Sequence, residues 1–171
     1  MTAPTTTFTR TPAGPSARAV IPAPAAGRRP KAAAGGDGSP GWARFVDAVR
    51  EAGQYPTRAE AERVTRIVLS ALGGHVVGDE RVALARALPP EAASVVAAQI
   101  PVTRPQTAAE FVDGVAARVE GATPATARWD VSSVLSVLPE LVGDALVDRV
   151  IAELPPGYAL LFGRAELLAK G

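Results

Sequence analysis

The sequence predicts an all-α protein in which two pseudo-symmetric four-helix units pack together behind a disordered N-terminal tail. Hydrophobic residues make up 47% of the chain and aromatic residues only 5%, which favours close packing of helices through small aliphatic side chains. Apolar residues recur at helical spacing in several segments. The same motifs also occur twice in the same order, which indicates two copies of one unit.

Residues 1–41 form the predicted tail. Seven prolines interrupt this segment, and its apolar residues follow neither helical nor strand periodicity. The tail carries a net charge of +4, whereas the rest of the chain carries −3. Arg28 and Arg29 form a twin-arginine pair, but the apolar stretch of an export signal does not follow. We interpret the tail as a solvated linker, with weak attachment to an anionic partner through these arginines and Lys31 as the alternative.

The composition also predicts where the protein acts. The chain has no cysteine, which removes disulfides, thiol catalysis and thiolate metal sites and is expected in the reducing cytoplasm. The longest uncharged stretch behind the tail, from Ala92 to Thr103, contains Pro101 and is shorter than the roughly 18 apolar residues of a membrane span. We therefore expect a cytoplasmic protein without a transmembrane segment.

The duplication divides the remaining chain into repeat 1 (residues 42–100), a linker (101–107) and repeat 2 (108–170). A shift of 66 residues, without a gap, aligns three motifs. The aligned pairs are Phe45-Val46-Asp47 with Phe111-Val112-Asp113, Val68-Leu69-Ser70 with Val134-Leu135-Ser136, and Leu88-Pro89-Pro90 with Leu154-Pro155-Pro156. The short linker predicts that the two repeats pack against each other.

Start and stop signals predict four helices in repeat 1. Gly53 ends the first helix, Thr57 with Glu60 forms a capping box for the second, Gly73-Gly74 ends the second, and Asp79 caps the third. The predicted helices run from Trp42 to Ala52, from Thr57 to Leu72, from Asp79 to Leu88 and from Glu91 to Gln99.

Repeat 2 follows the same scheme. Thr107 with Glu110 caps a helix from Ala108 to Glu120, and Thr123 opens a long helix that Pro139 closes. A further helix begins at Asp144, and a last one carries the apolar side chains of Tyr158, Leu161 and Phe162. The helix after Asp144 has an apolar stripe at i, i+3, i+4 and i+7, formed by Val147, Val150, Ile151 and Leu154.

Three packing motifs resemble the bacterial domain-of-unknown-function family 2267. They are Phe-Val-x-x-Val, Val-Leu-x-x-Leu in a capped helix, and Leu-Pro-Pro-x-Tyr-x-x-Leu-Phe at residues 154–162. The chain looks like a tandem-repeat member from an actinomycete, and the resemblance covers about residues 42–165. It implies a helical fold and no functional residues. Repeat 1 departs from the pattern after Pro90, where Glu91-Ala92-Ala93 replaces Gly-Tyr-Ala.

Few residues are candidates for catalysis. His75 is the only histidine, so one chain cannot assemble a Ser-His pair or a histidine-rich metal site, and we interpret His75 as a solvated loop residue. Gly73 and Gly78 have the spacing of a phosphate-binding loop, but Asp79 and Glu80 follow where Lys and Ser/Thr are required. We therefore assign no catalytic, cofactor-binding or metal-binding residue and expect a protein that is not an enzyme.

Four acidic residues recur between the repeats: Asp47, Asp113, Glu60 and Glu110. As pairs, they could bind a metal or exchange protons, but helical bundles that use carboxylates in this way also supply histidines. We interpret them as exposed or capping acids.

The aromatic side chains occupy positions where a helix carries core aromatics, and the acidic body lacks the interleaved arginines of a nucleic-acid site. They are Trp42, Phe45, Phe111, Trp129, Tyr158 and Phe162. Trp129 is the exception, because it takes the position of Arg63 in repeat 1 and is expected to be partly exposed. It is our candidate for a contact surface between repeats or between chains.

Two classes of function remain. The first is a non-enzymatic interaction module that presents helical grooves to an unknown protein partner or to a second copy of itself. The alternative is a small-molecule-binding protein or unconventional enzyme with a pocket between the repeats, where Arg63, Arg66 or Arg128 positions the ligand. Attachment to an anionic membrane is disfavoured, because acidic side chains populate the same helices.

Overall fold

The computed structural model describes residues 38–164, and every regular element of secondary structure in that range is a helix. This confirms the predicted all-α class. Most of the predicted tail, residues 1–37, and residues 165–171 at the end of the chain lie outside the described range. The predictions that concern the tail arginines therefore also lie outside it.

Within residues 38–164, repeat 1 contains four helices and repeat 2 contains five. Those of repeat 1 are α1 (Pro40–Gly53), α2 (Arg58–His75), α3 (Gly78–Ala87) and α4 (Pro90–Ala97). Those of repeat 2 are α5 (Ala108–Ala116), α6 (Pro124–Leu135), α7 (Leu138–Val142), α8 (Asp144–Glu153) and α9 (Tyr158–Leu161).

The helix starts follow the capping residues of the sequence. The hydroxyl of Thr57 accepts a hydrogen bond from the backbone N–H of Glu60, the first half of the predicted capping box. Thr107 and Glu110 form the complete reciprocal box, as predicted. Thr123 forms a similar box with Thr126, and Pro124 occupies the first turn. These caps satisfy backbone donors that a helix leaves unpaired at its start.

Several predicted boundaries in repeat 1 are wrong. Helix α1 begins two residues before Trp42, and Gln54, not Gly53, takes the left-handed conformation at its end. Helix α2 continues through Gly73-Gly74 to His75. Gly73 serves close packing there, because a Cβ atom on it would lie 2.7 Å from the carbonyl oxygen of Val96.

Other boundaries differ because a residue plays another role at the helix end. Asp79 lies in the first turn of α3 without capping it, where its charge faces the positive end of the helix dipole. In repeat 2, α5 ends at Ala116 and not at Glu120, and α6 ends at Leu135. Pro139 begins α7 instead of closing α6, because a proline in the first turn forfeits no intrahelical hydrogen bond.

One hydrophobic core contains side chains from both repeats, including Phe45, Leu69, Phe111, Leu135 and Tyr158. Helix α6 packs against α1 and α2, α5 packs against α2, and α3 packs against α8. These helices therefore bury one another's apolar faces across the repeat boundary.

Arg81 joins the ends of two helices in repeat 1. Its guanidinium donates hydrogen bonds to the carbonyls of Gly73 at 2.9 Å and of Val96 and Ala97 at 3.0 Å, and also to that of Gln99. Carbonyls at a helix C-terminus lack intrahelical partners and carry partial negative charge. Arg81 thus stabilises the ends of α2 and α4 together.

No helix within residues 38–164 has the length and apolar character needed to span a membrane.

Candidate functional site

An apolar groove runs between α5, α6 and α9, all in repeat 2. Its volume is about 410 Å³. We call it the α5–α6–α9 groove; the residues that line it are Ala108, Ala109, Val112, Asp113, Pro124, Ala125, Arg128, Gly157, Leu160 and Leu161. Small side chains on α5 and α6 leave the space, and Leu160 remains 50% exposed beside it. An exposed apolar concavity of this kind is typical of a binding site.

Two charged side chains of opposite sign lie in the groove. Asp113 belongs to α5 and Arg128 to α6, and both residues are exposed. Neither side chain forms an ion pair with another residue of the described part. The groove therefore offers an acid and a base to whatever binds there.

Trp129 follows Arg128 on α6 but is not among the residues that line the groove. Its side chain is 56% exposed, in agreement with the expectation of partial exposure. The indole Nε1 donates a hydrogen bond of 3.0 Å to the carbonyl oxygen of Gly53, the last residue of α1. This bond joins the two repeats and fixes the orientation of the ring, so that its exposed part is held in place.

A buried polar contact that the sequence analysis did not identify lies next to Trp129. The Tyr55 hydroxyl donates a hydrogen bond of 2.5 Å to Oδ1 of Asp130, which is only 8% exposed. Burial raises the pKa of Asp130, although the bond from Tyr55 acts in the opposite direction. Burial and the contact with Asp130 also raise the pKa of Tyr55. The position of Asp130 within the apolar stripe of Ala127, Val131 and Val134 was the sequence signal that could have identified this contact.

A smaller cavity, of about 140 Å³, lies where the linker meets helices of both repeats. We call it the inter-repeat cavity. It is lined by Ser70, Ala71, Gly74, His75, Gln99, Ile100, Val102, Gln106, Phe111, Gly114 and Arg118. Arg118 is exposed and donates a hydrogen bond of 3.2 Å to the hydroxyl of Ser70. The cavity therefore has walls of mixed apolar and polar character and one cationic group at Arg118.

His75 lines this cavity, and its interpretation as a solvated loop residue is wrong. It is the last residue of α2 and is half-buried. Its Nδ1 donates to the carbonyl of Ala71 at 2.8 Å, and Nε2 lies 3.0 Å from Oε1 of Gln106 in the linker. The ring packs edge-on against Phe111 at 5.2 Å. Both ring nitrogens are thus engaged by the fold, because α2 continues past the two glycines.

The three arginines considered for ligand positioning do not come together. Arg66 lies 4.8 Å above the ring of Trp42 and pairs with Glu62 at 2.9 Å. Arg63 is exposed and lines neither the groove nor the inter-repeat cavity. Only Arg128 lines the groove, and the groove lies within repeat 2, whereas the sequence predicted a pocket between the repeats.

The recurring acids also have separate roles. Asp47 lies 3.9 Å from Arg58, and Glu110 belongs to the capping box of α5 and pairs with Arg104 at 3.0 Å. The hydrogen bond from the backbone N–H of Thr107 is the main cause that lowers the pKa of Glu110, and the hydrogen bond from the Arg104 side chain lowers it further. Within the described range, no three His, Asp or Glu side chains lie close enough together to hold a metal ion.

The comparisons with known proteins bear on the helical part of the chain. The model of the family described as "Uncharacterized conserved protein (DUF2267)" matches residues 42–161. This range includes Trp129, both charged residues of the groove and the inter-repeat cavity. No curated protein matches the chain. Since the match covers well over half of the sequence, the chain belongs to the DUF2267 family.

Proposed function

We propose that this protein is a non-enzymatic interaction module of the cytoplasm, which binds a helix of another protein chain in the α5–α6–α9 groove. The observation that supports this proposal is the apolar groove in repeat 2, in whose lining Leu160 is half-exposed. Trp129, which follows the groove residue Arg128 in the chain, is 56% exposed. Large exposed side chains next to an apolar concavity are typical of protein interfaces, where aromatic anchors supply much of the binding energy.

The charges of the groove restrict the occupant. An amphipathic helix would direct its apolar face at Val112, Leu160 and Leu161, which line the groove. A basic side chain on that helix would pair with Asp113 and an acidic one with Arg128. Both of these groups are exposed, and neither has an ion pair with another residue in the range 38–164. We infer that the partner presents an apolar stripe flanked by one acid and one base.

The fixed orientation of Trp129, the neighbour of the groove residue Arg128 on α6, also supports binding at this part of repeat 2. Its bond to Gly53 restricts the indole before any partner arrives. Binding then orders less side-chain freedom, and a larger part of the contact energy appears as affinity.

Site-specific photo-crosslinking in the native host tests the proposal. A photoreactive phenylalanine at position 160 is expected to form an adduct with another protein chain, and the additional change Trp129→Ala is expected to reduce the yield. The same group at the exposed position 149, on α8 and outside the groove, serves as the control. Equal yields from both positions, or none from position 160, would contradict the proposal.

The inter-repeat cavity supports a second candidate function, the binding of a small molecule. Its volume is close to that of an apolar protein cavity of about 150 Å³ that binds benzene. Arg118 at its edge favours a small aromatic carboxylate. In a titration with benzoate followed by NMR, the amides of Gly74 and Gly114 are expected to shift, whereas Arg118→Gln should weaken the effect. Unchanged spectra at saturating benzoate would argue against this function.

A further inference from the structure

We propose that the occupant of the α5–α6–α9 groove is a second copy of this chain, related to the first by a two-fold axis through the groove. This inference rests on the proposed function and names its partner. A two-fold interface uses the same surface on both copies, so that the surface must be complementary to itself. The groove meets this requirement in charge and in shape.

The charge requirement concerns Asp113 and Arg128. A two-fold axis between them brings Asp113 of one copy to Arg128 of the other, and symmetry forms the reciprocal pair at the same time. Both side chains are exposed, and neither has an ion pair within the described part of its own chain. The dimer would therefore gain two ion pairs without breaking one between described residues of either copy.

The shape requirement concerns the side chains beside the groove. Leu160 belongs to the groove and is 50% exposed, so the same surface carries both a projecting side chain and a concavity. The two-fold operation inserts Leu160 of each copy into the concavity of the other.

The test is a charge-swap series on the full chain, measured by sedimentation from micromolar to millimolar concentration. Asp113→Arg and Arg128→Asp each place two like-charged pairs at the interface. Each is expected to raise the dimer dissociation constant roughly tenfold. The double variant Asp113→Arg/Arg128→Asp restores opposite charges and is expected to dimerise like the original chain. A purely structural effect of the single changes would not be rescued in this way.

A matched control swaps two charges outside the groove. Arg149 and Glu153 are exposed residues of α8, one helical turn apart, and neither lines the groove. Arg149→Asp/Glu153→Arg is expected to leave the dissociation constant unchanged. The proposal is overturned if Asp113→Arg and Arg128→Asp leave the dimer dissociation constant unchanged. It is also overturned if the control variant raises this constant as much as they do.

Photo-crosslinking at position 160 separates this inference from the proposed function. A self-adduct in purified protein supports the second copy. If the purified chain stays monomeric and position 160 instead captures a different protein in the native host, the second copy is wrong and the interaction module stands. If position 160 forms no protein adduct in either setting, both proposals fail.

Discussion

The hydroxyl of Tyr55 donates a 2.5 Å hydrogen bond to the buried carboxylate of Asp130, which ties the loop after α1 to the middle of α6. The neighbouring residue, Trp129, donates to the carbonyl of Gly53 at the end of the same α1 helix. Two consecutive residues of repeat 2 therefore bind two nearby positions of repeat 1. Trp129 also directly follows Arg128, which lines the α5–α6–α9 groove.

Removing the Tyr55 hydroxyl is expected to destabilise the protein. Tyr55→Phe leaves Asp130 buried without this donor, and an unsatisfied buried polar group costs about 1–3 kcal/mol of unfolding free energy. Asp130→Val alone removes the acceptor. The combined variant Tyr55→Phe/Asp130→Val replaces both partners by apolar groups, with the valine that repeat 1 has at the aligned position 64. Urea unfolding should find the double variant more stable than Tyr55→Phe; the reverse order would contradict this account.

The pKa of Asp130 predicts a specific pH dependence. Because burial raises this pKa in the folded state, the fold favours the protonated carboxyl. The stability contribution is fully present below the unfolded pKa, about 3.9, and is lost as pH rises through the higher folded value. Relative to Asp130→Asn, the original chain should therefore lose stability as pH increases from about 4 towards neutrality. Urea unfolding of both proteins at several pH values measures this, and a constant difference would contradict it.

The two tyrosines of the chain predict a second, alkaline transition. Burial raises the pKa of Tyr158 to about 12, and Tyr158 donates a 2.9 Å hydrogen bond to the carbonyl of Gln106. The pKa of Tyr55 is also raised. The fold thus favours neutral phenols, and this stability is lost as pH rises from about 10 through the folded values.

Ultraviolet titration of tyrosinate tests this alkaline transition. In the folded protein, neither phenol should ionise near pH 10, whereas the chain unfolded in guanidinium should titrate there. Since the sequence contains only these two tyrosines, a native phenol that ionises at about pH 10 would show that one of them is not held as described.

Arg81 offers a test of the helix ends in repeat 1. Arg81→Met keeps much of the aliphatic stem and removes the donors to the carbonyls of Gly73, Val96 and Ala97. We expect a loss of about 1–3 kcal/mol of unfolding free energy and faster amide exchange near the ends of α2 and α4. Arg86→Met, an exposed position on the same helix, is the control and should stay within about 0.5 kcal/mol. Equal effects from both changes would contradict the proposed role of Arg81.

The sequence predicted those features that depend on local chemistry. Thr107 and Thr123 cap helices as predicted, because a capping hydroxyl meets a backbone donor only three residues away. The end of α2 could not be predicted in this way. Gly73 and Gly74 are typical helix ends, but Gly73 remains helical where α4 approaches it closely, and that approach depends on tertiary packing.

In the candidate site, too, the sequence predicted what a local comparison shows and missed what tertiary packing determines. Alignment of the repeats singled out Trp129, because a tryptophan stands where repeat 1 has Arg63. The groove itself was not predictable, because it depends on how three short helices leave a space between small side chains. Likewise, the contacts of His75 depend on Gln106, which the linker brings to the end of α2. Such contacts between distant residues have no periodic signal in the sequence.

The leucines of α6 and α9 provide the sharpest contrast between core and surface. Leu135 is fully buried among helices of both repeats, while Leu160 is half-exposed in the groove. Leu135→Ala should lower the unfolding free energy by about 2–5 kcal/mol, because the packed core closes only partly around the lost side chain. Leu160→Ala removes the same atoms from a solvated position and should change stability by no more than about 0.5 kcal/mol. Urea unfolding at a concentration below any self-association compares the two variants. A large loss in Leu160→Ala would mean that this side chain supports the monomer fold, and it would remove the main reason to assign it to an interface.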